Sequence, residues 1–337
     1  MVIFMKKSLK VFALAFLFLA LVILCLYSKE ISLSIKKGIT ICSEVIIPSF
    51  LPCIIISNII IRMNLISVFN KKISIYCLFL LSTISGYPVG AILLSELVLT
   101  KQISKTEAER ILPCFINTGP AFVINIIGIS QLNNINLGVI IYVCEVLSSF
   151  IIFVILKGYK IKLNISYSTI KLGEEIHKSI FQAFNSVKTI SLYVIVFLAA
   201  EQVVSIVFGN RVAKIFITLC EVTGAVLNYK NIYFITFLLS FCGLCVYMQI
   251  ASIVKFKFNF LKVVLFRILH GVIAVMFLKT LLFVFKIKTA VFNNIGDSIE
   301  LKLPNNYTYA IAVIFALICL LLSLNRKSSG NLPKDLI

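Results

Sequence analysis

Tryptophan is absent, histidine occurs twice, and 13 acids face 32 lysines and arginines in 337 residues. Each shortage excludes something. With His177 and His270 alone, and with no HExxH pair or phosphate-binding glycine loop, no nucleophile–base pair can be assembled, so no enzyme, cofactor or metal is expected. Without tryptophan, the interfacial belt of a membrane protein falls to the 12 tyrosines. Charged residues make up 13% of the chain, too few to cover a soluble domain of this size.

What is present is apolar. Hydrophobic residues make up 60% of the sequence and the mean hydropathy is +1.07, so lipid is the expected solvent. The net charge of +19 would suggest nucleic acid in a soluble protein. Here the bases sit in short segments between apolar runs, with no basic stripe to track phosphates, so nucleic acid is not an expected partner. The positive-inside rule accounts for them instead. Most of the ten cysteines lie inside apolar runs, where free thiols act as small hydrophobes. Cys242 and Cys245 form a CxxC that reads the same way.

A basic start (Lys6, Lys7, Lys10) precedes an apolar run from Val11 to Tyr27. No small-x-small cleavage site follows and Leu24 precedes Cys25, so residues 1–30 are expected to be an uncleaved signal anchor. Further apolar runs predict spans at 39–61, 111–130, 137–156, 189–208, 215–229, 263–285 and 307–324. Runs 73–99 and 232–254 are different. The first is broken by Ser85-Gly86-Tyr87-Pro88-Val89-Gly90, whose freed backbone groups lipid cannot satisfy. Reading both runs as re-entrant hairpins puts the polar stretch 157–188 and Lys255, Lys257 and Lys262 on the cytoplasmic side, as the positive-inside rule prefers. Phe79-Leu80-Leu81-Ser82 recurs as Phe237-Leu238-Leu239-Ser240, each before a glycine-containing turn.

The expected fold is therefore all-α and integral to the membrane, with about eight transmembrane helices plus two re-entrant hairpins in two related halves. The halves are 31–156 and 189–324, separated by a cytoplasmic basic loop, 157–188, and followed by a tail, 325–337. Charge favours a parallel relation between the halves; a segment 215–229 that stopped half-way in would make them inverted.

The polar residues inside apolar runs are the candidate substrate-binding set. At Ser85, Gly86, Tyr87 and Gly90 a broken helix would turn bare N–H groups toward a gap, which suits an anion. Asn117-Thr118-Gly119 precedes Pro120 and breaks the next run; Asn117 fits a solute ligand or a bond between helices. Glu221 and Thr223, like Glu145, place polar groups within a span, and either acid fits a functional carboxylate or an ion pair with Arg267. Arg267 and His270 share one helix face; Arg267 can grip a carboxylate or snorkel to the surface. Gly243 and Gln249 complete the set from the second broken run.

Six stretches carry a family resemblance: EVIIPSFLPCIIISNII (Glu44–Ile60), SGYPVGA (Ser85–Ala91), AERILPCFINTGPAFVINIIG (Ala108–Gly128), CEVTGAV (Cys220–Val226), FCGLCVYMQ (Phe241–Gln249) and FRILH (Phe266–His270). In this order they resemble the YlbJ (SpoVV) family of sporulation integral membrane proteins, in the GATE-domain group related to concentrative nucleoside transporters. The resemblance implies a transporter-like fold in the outer forespore membrane, moving dipicolinic acid from mother cell toward forespore. By analogy it also implies a homo-oligomer. Cys242 and Cys245 stand where the family favours glycine and serine. Dipicolinate is a flat dianion, which needs two N–H-rich or positive poles and a slot, for which Tyr87 and Tyr247 offer ring faces. The alternatives are transport of a nucleoside-like solute and a non-transporting scaffold that recruits partners through 157–188.

Overall fold

The computed structural model describes residues 7–63, 65–68, 71–163, 172–226 and 228–284. The expected span at 307–324 and the tail lie outside these residues, as does part of the 157–188 stretch. All regular structure among them is helical. Four helices, Ile135–Ile155, Leu172–Phe208, Ile232–Ile253 and Phe260–Val284, are long and apolar enough to cross a bilayer. Outward-facing side chains such as Val196, Met276 and Phe283 are apolar, whereas Glu145, Glu221, Arg267 and His270 are buried. That polarity is the reverse of a soluble protein and suits a lipid surround.

Helix α1 (Lys7–Leu26) meets α2 (Ser28–Ile41) at a 95° bend. Helix α2 runs through a π-turn, Cys42–Ile46, into α3 (Ile47–Arg62). Pro48 explains the π-turn: its ring clashes with the carbonyl four residues back and offers it no N–H, and a wider turn relieves both. This rod lies antiparallel to α8 (Leu172–Phe208). Ser34 donates to Gln202 at 3.3 Å, the Cys42 thiol to the Ser191 carbonyl at 3.6 Å, and Asn58 to the Ser179 carbonyl at 3.4 Å, so partner numbers fall as the rod advances. Residues 172–188, expected within a loop, are thus the first turns of α8. No proline lies between Leu172 and Phe208, and the helix runs unbroken for 37 residues.

Helices α4 (Lys71–Ser85) and α5 (Val89–Leu99) form a hairpin. Leu78 and Leu97, far from the turn in opposite directions, line one crevice with Ile61 and Leu163. Helix α6 (Lys105–Phe115) and a π-helix, Ala121–Gln131, form a broken rod, followed by α7 (Ile135–Ile155). In the second half α8 is followed by α9 (Asn210–Cys220) and α10 (Val222–Val226). These two also turn back: beyond α10, Tyr229 bonds Thr218 of α9 at 2.8 Å and lies under the Lys214 ammonium. Helices α11 (Ile232–Phe241) and α12 (Gly243–Ile253) form the second broken rod, and α13 (Phe260–Val284) closes the described chain.

Two ends of the bundle can be told apart by their bonds. At one, Glu96 of α5 pairs with Arg62 of α3 at 3.1 Å and accepts from Gln182 of α8, Ser95 accepts from the Lys255 amide after α12, and Glu109 of α6 accepts from the Asn259 amide before α13. At the other, Gln131 donates to the Val226 and Tyr229 carbonyls. Each half is then a long rod, a hairpin, a broken rod and a long rod, and every element of the second half runs opposite to its counterpart.

Two expectations are corrected here. The run 232–254 does not fold back: α11 packs on α13 while α12 packs on α5, α8 and α9. Cys242 and Gly243 both have positive φ, 71° and 77°, and they dislocate the rod without reversing it. The second hairpin is instead 210–226, which takes in most of the expected span 215–229, and the halves are inverted rather than parallel. The repeated Phe-Leu-Leu-Ser therefore joins elements that do not correspond. In membranes, single cysteines placed at Arg211 and Lys230, with the native cysteines replaced, should react with an impermeant reagent from the same side, and one at Lys101 from the other. A crossing segment 215–229 would put Arg211 and Lys230 on opposite sides.

Candidate functional site

The two hairpin tips and the two helix breaks meet in the interior. The first tip is made by Gly86 and a cis Tyr87–Pro88 bond, with the Val89 amide donating to the Gly86 carbonyl at 2.9 Å. Gly86 has φ +75° and lies against Gly119, so that a Cβ would stand 2.8 Å from the Gly119 nitrogen. A side chain here meets both left-handed backbone and a second backbone. Gly119 belongs to the first break, where Pro120 forces its predecessor away from helix.

At the second tip Glu221 is extended (φ −135°, ψ 112°). Its carboxylate turns back to accept the Thr223 amide at 2.8 Å and the Gly224 amide, capping the short α10. The breaks are bonded to one another: Thr118 Oγ1 donates to the Leu239 carbonyl at 3.2 Å, in the last turn of α11 before Cys242.

Between them lies a cavity lined by Tyr87, Thr118, Gly119, Glu221, Thr223 and Gln249, with Ile46 and Phe50 of the first rod, Phe122 of the π-helix, Ile190 and Val194 of α8, and Val246 of α12. Its volume is about 30 Å³, room for about two waters. Small-molecule pockets run to about 300–1,000 Å³, so the cavity as it stands is too small for a drug-sized molecule. The surroundings are mostly apolar, and among the described residues the one charged lining side chain is Glu221.

Six of the thirteen sequence-predicted residues thus line one cavity. Gly86 packs on Gly119 of that lining. The others do not line it. Ser85 bonds Ser57 at 2.9 Å. Gly90 and Gly243 are close-packing positions, against the Phe115 and Cys220 carbonyls. The Asn117 amide donates to the Cys114 carbonyl at 2.8 Å, while its buried oxygen has no partner. Tyr247 donates to the Phe241 carbonyl and packs edge-on against Phe241 and Phe260, so it offers no face to the cavity.

Arg267 and His270 sit behind the breaks. Fully buried, Arg267 donates to the Pro113 carbonyl at 3.3 Å and to the Cys242 sulfur at 3.1 Å. Neither snorkelling nor a direct ion pair with Glu145 or Glu221 is what it does, since among the described residues no carboxylate lies within 4.0 Å of it. His270 Nε2 is 2.9 Å from the Glu145 carbonyl. Sequence reasoning missed the apolar lining at Ile46, Phe50, Ile190 and Val194, because nothing marks which apolar residue of a span faces inward. Ile46 and Phe50 do fall within one of the stretches that carry the resemblance, Glu44–Ile60, which is the one available signal.

Comparison with known families, characterised proteins and solved structures finds no match to this chain.

Proposed function

We propose that this chain is a membrane transporter for a small planar polar solute, with dipicolinate as the solute that the family resemblance names. The observation that carries the reading is the convergence of two opposed hairpin tips and two helix breaks on one buried cavity. Irregular backbone at this depth is tolerated only inside protein or against a wet cavity. Inverted halves meeting at a central site let either half rock to open that site to one face.

Basic residues gather at the end that holds Arg62, Lys101, Lys105, Lys157, Lys160, Lys255 and Lys257, and the positive-inside rule assigns that end to the cytoplasm. In a sporulating cell it faces the mother cell if the protein lies in the outer forespore membrane. Among the described residues seven membrane-crossing or membrane-entering rods, counting broken ones once, and two hairpins fit this arrangement.

The lining favours a second reading. Glu221, Thr118 and Gln249, with no cationic side chain among the described lining residues, suit a neutral, hydrogen-bonding ring such as a nucleoside at least as well as a dianion. Purified protein in lipid vesicles should be assayed for uptake of dipicolinate and of nucleosides. Dipicolinate uptake that falls about tenfold or more in Thr118→Val supports the first reading; nucleoside uptake alone selects the second. Uptake of neither removes transport, and leaves the scaffold reading, in which partners are recruited through 157–188.

A further inference from the structure

Behind the cavity lies a second polar cluster that the solute site does not use. Glu145 of α7 is buried, 1% exposed. Its Oε1 accepts from Ser240 at 2.6 Å, while Oε2 has no hydrogen-bond partner and stands 3.9 Å from His270 Nε2. Because the Glu145 carbonyl can only accept, His270 Nε2 carries the proton in their 2.9 Å bond, which leaves Nδ1 buried and unpartnered. Arg267 Nε is also unpartnered, and its guanidinium acts electrostatically on Glu145, His270 and the Tyr87 hydroxyl.

An unpaired carboxylate oxygen and a permanent cation without a carboxylate partner are both costly in an apolar interior. Nothing about packing requires either. The groups that act on the Glu145 carboxyl are Arg267 and His270 from α13, Ser240 and Cys242 from α11 and its break, and Cys144 on its own helix, while Cys114 of α6 acts with Arg267. The π-helix that also packs on α7 has no titratable side chain. The neighbouring guanidinium opposes a metal ion, so the exchangeable cation that fits this place is a proton.

We infer that Glu145 is the proton-carrying residue of a proton–anion symport, an inference that rests on the transporter reading. With Glu145 ionised, its charge offsets that of Arg267. When a proton from the aqueous phase bonds to Oε2, the positive charge of Arg267 is released to an anion entering the adjoining cavity, and the total charge of the buried region changes less than by entry of the anion alone. The link is short: Glu145 holds Ser240, the preceding residue, Leu239, holds Thr118 through its carbonyl, and Thr118 lines the cavity. With the proton on Oε2, Oε1 becomes a neutral carbonyl oxygen that accepts the Ser240 hydroxyl more weakly than the carboxylate did, so protonation loosens the last turn of α11 to which the break is tied.

The test uses wild type and Glu145→Gln in lipid vesicles. With the membrane potential held at zero by a potassium ionophore, one proton per solute predicts about tenfold accumulation of dipicolinate for a gradient of about one pH unit, acid outside. E145Q should lose gradient-driven accumulation while downhill exchange falls far less. Infrared difference spectra of the purified protein between acid and alkaline pH supply a readout independent of uptake: a protonated-carboxyl band that E145Q lacks. If E145Q does not fold, Ser240→Ala serves, since loss of its hydrogen bond should shift that band. Uptake indifferent to the gradient overturns the symport but leaves the transporter. A band retained in E145Q, or unmoved in S240A, overturns the assignment to Glu145. No uptake under any gradient, with the band present, removes the transporter reading and the symport with it.

Discussion

Replacing Gly90 by valine is expected to leave no folded protein. The first turn of α5 lies on the last residue of α6 so closely that a Cβ on Gly90 would stand 1.8 Å from the Phe115 carbonyl oxygen, 2.8 Å from its carbon and 3.0 Å from the Ser82 Cβ. The nearest obstacles are backbone and cannot rotate away. Relief requires moving the hairpin off the broken rod, which carries Tyr87 away from Thr118 and opens the centre of the bundle. Overpacking in a core commonly costs about 1–3 kcal/mol, and a contact this short against backbone belongs at or above the top of that range. Gel filtration in detergent should show aggregate in place of a single peak. Gly173→Ala is the control: a Cβ there meets nothing within 4 Å, and alanine is the better helix former. A monodisperse, heat-stable G90V protein would mean that α5 and α6 are not packed as described.

Glu221→Gln is expected to lower the KM for dipicolinate by about tenfold or more, because two unit charges about 4 Å apart repel by about 4 kcal/mol at an effective dielectric of about 20. Part of that repulsion is relieved by adjustment on binding, so the full figure is an upper bound. Glutamine keeps one side-chain carbonyl for the Thr223 amide, so the tip should survive with a loss of about 1 kcal/mol. Glu221→Ala removes the cap as well and should unfold at lower temperature. The KM of a nucleoside has no charge to be relieved and should rise, since the carboxylate that accepts its hydrogen bonds is weakened. Initial uptake rates over a range of each solute measure both. An unchanged dipicolinate KM in E221Q would show that the dianion does not approach the second hairpin tip.

The sequence showed several of the site residues because each breaks a local rule. Gly86, Pro88, Gly119 and Pro120 interrupt apolar runs, and Glu221 puts charge in one; these anomalies mark the first tip, the first break and the second tip without any tertiary information. The second break was visible in outline and misread in kind. Cys242 and Gly243 look like a turn in sequence, and only their coordinates show a dislocation in a rod that continues.

Composition by itself pointed to a helical chain suited to lipid, since the mean hydropathy is +1.07 and a helix satisfies its own backbone. Local chemistry determined where the helices break. What it could not determine is direction. Whether a short apolar segment crosses or turns back depends on which neighbours receive its end, as Tyr229 receives Thr218 and Lys214, and those contacts join residues that no periodicity relates. The inverted pairing of the halves, the shared cavity and the proximity of Glu145 to His270 across α7 and α13 were all decided at that level, by packing.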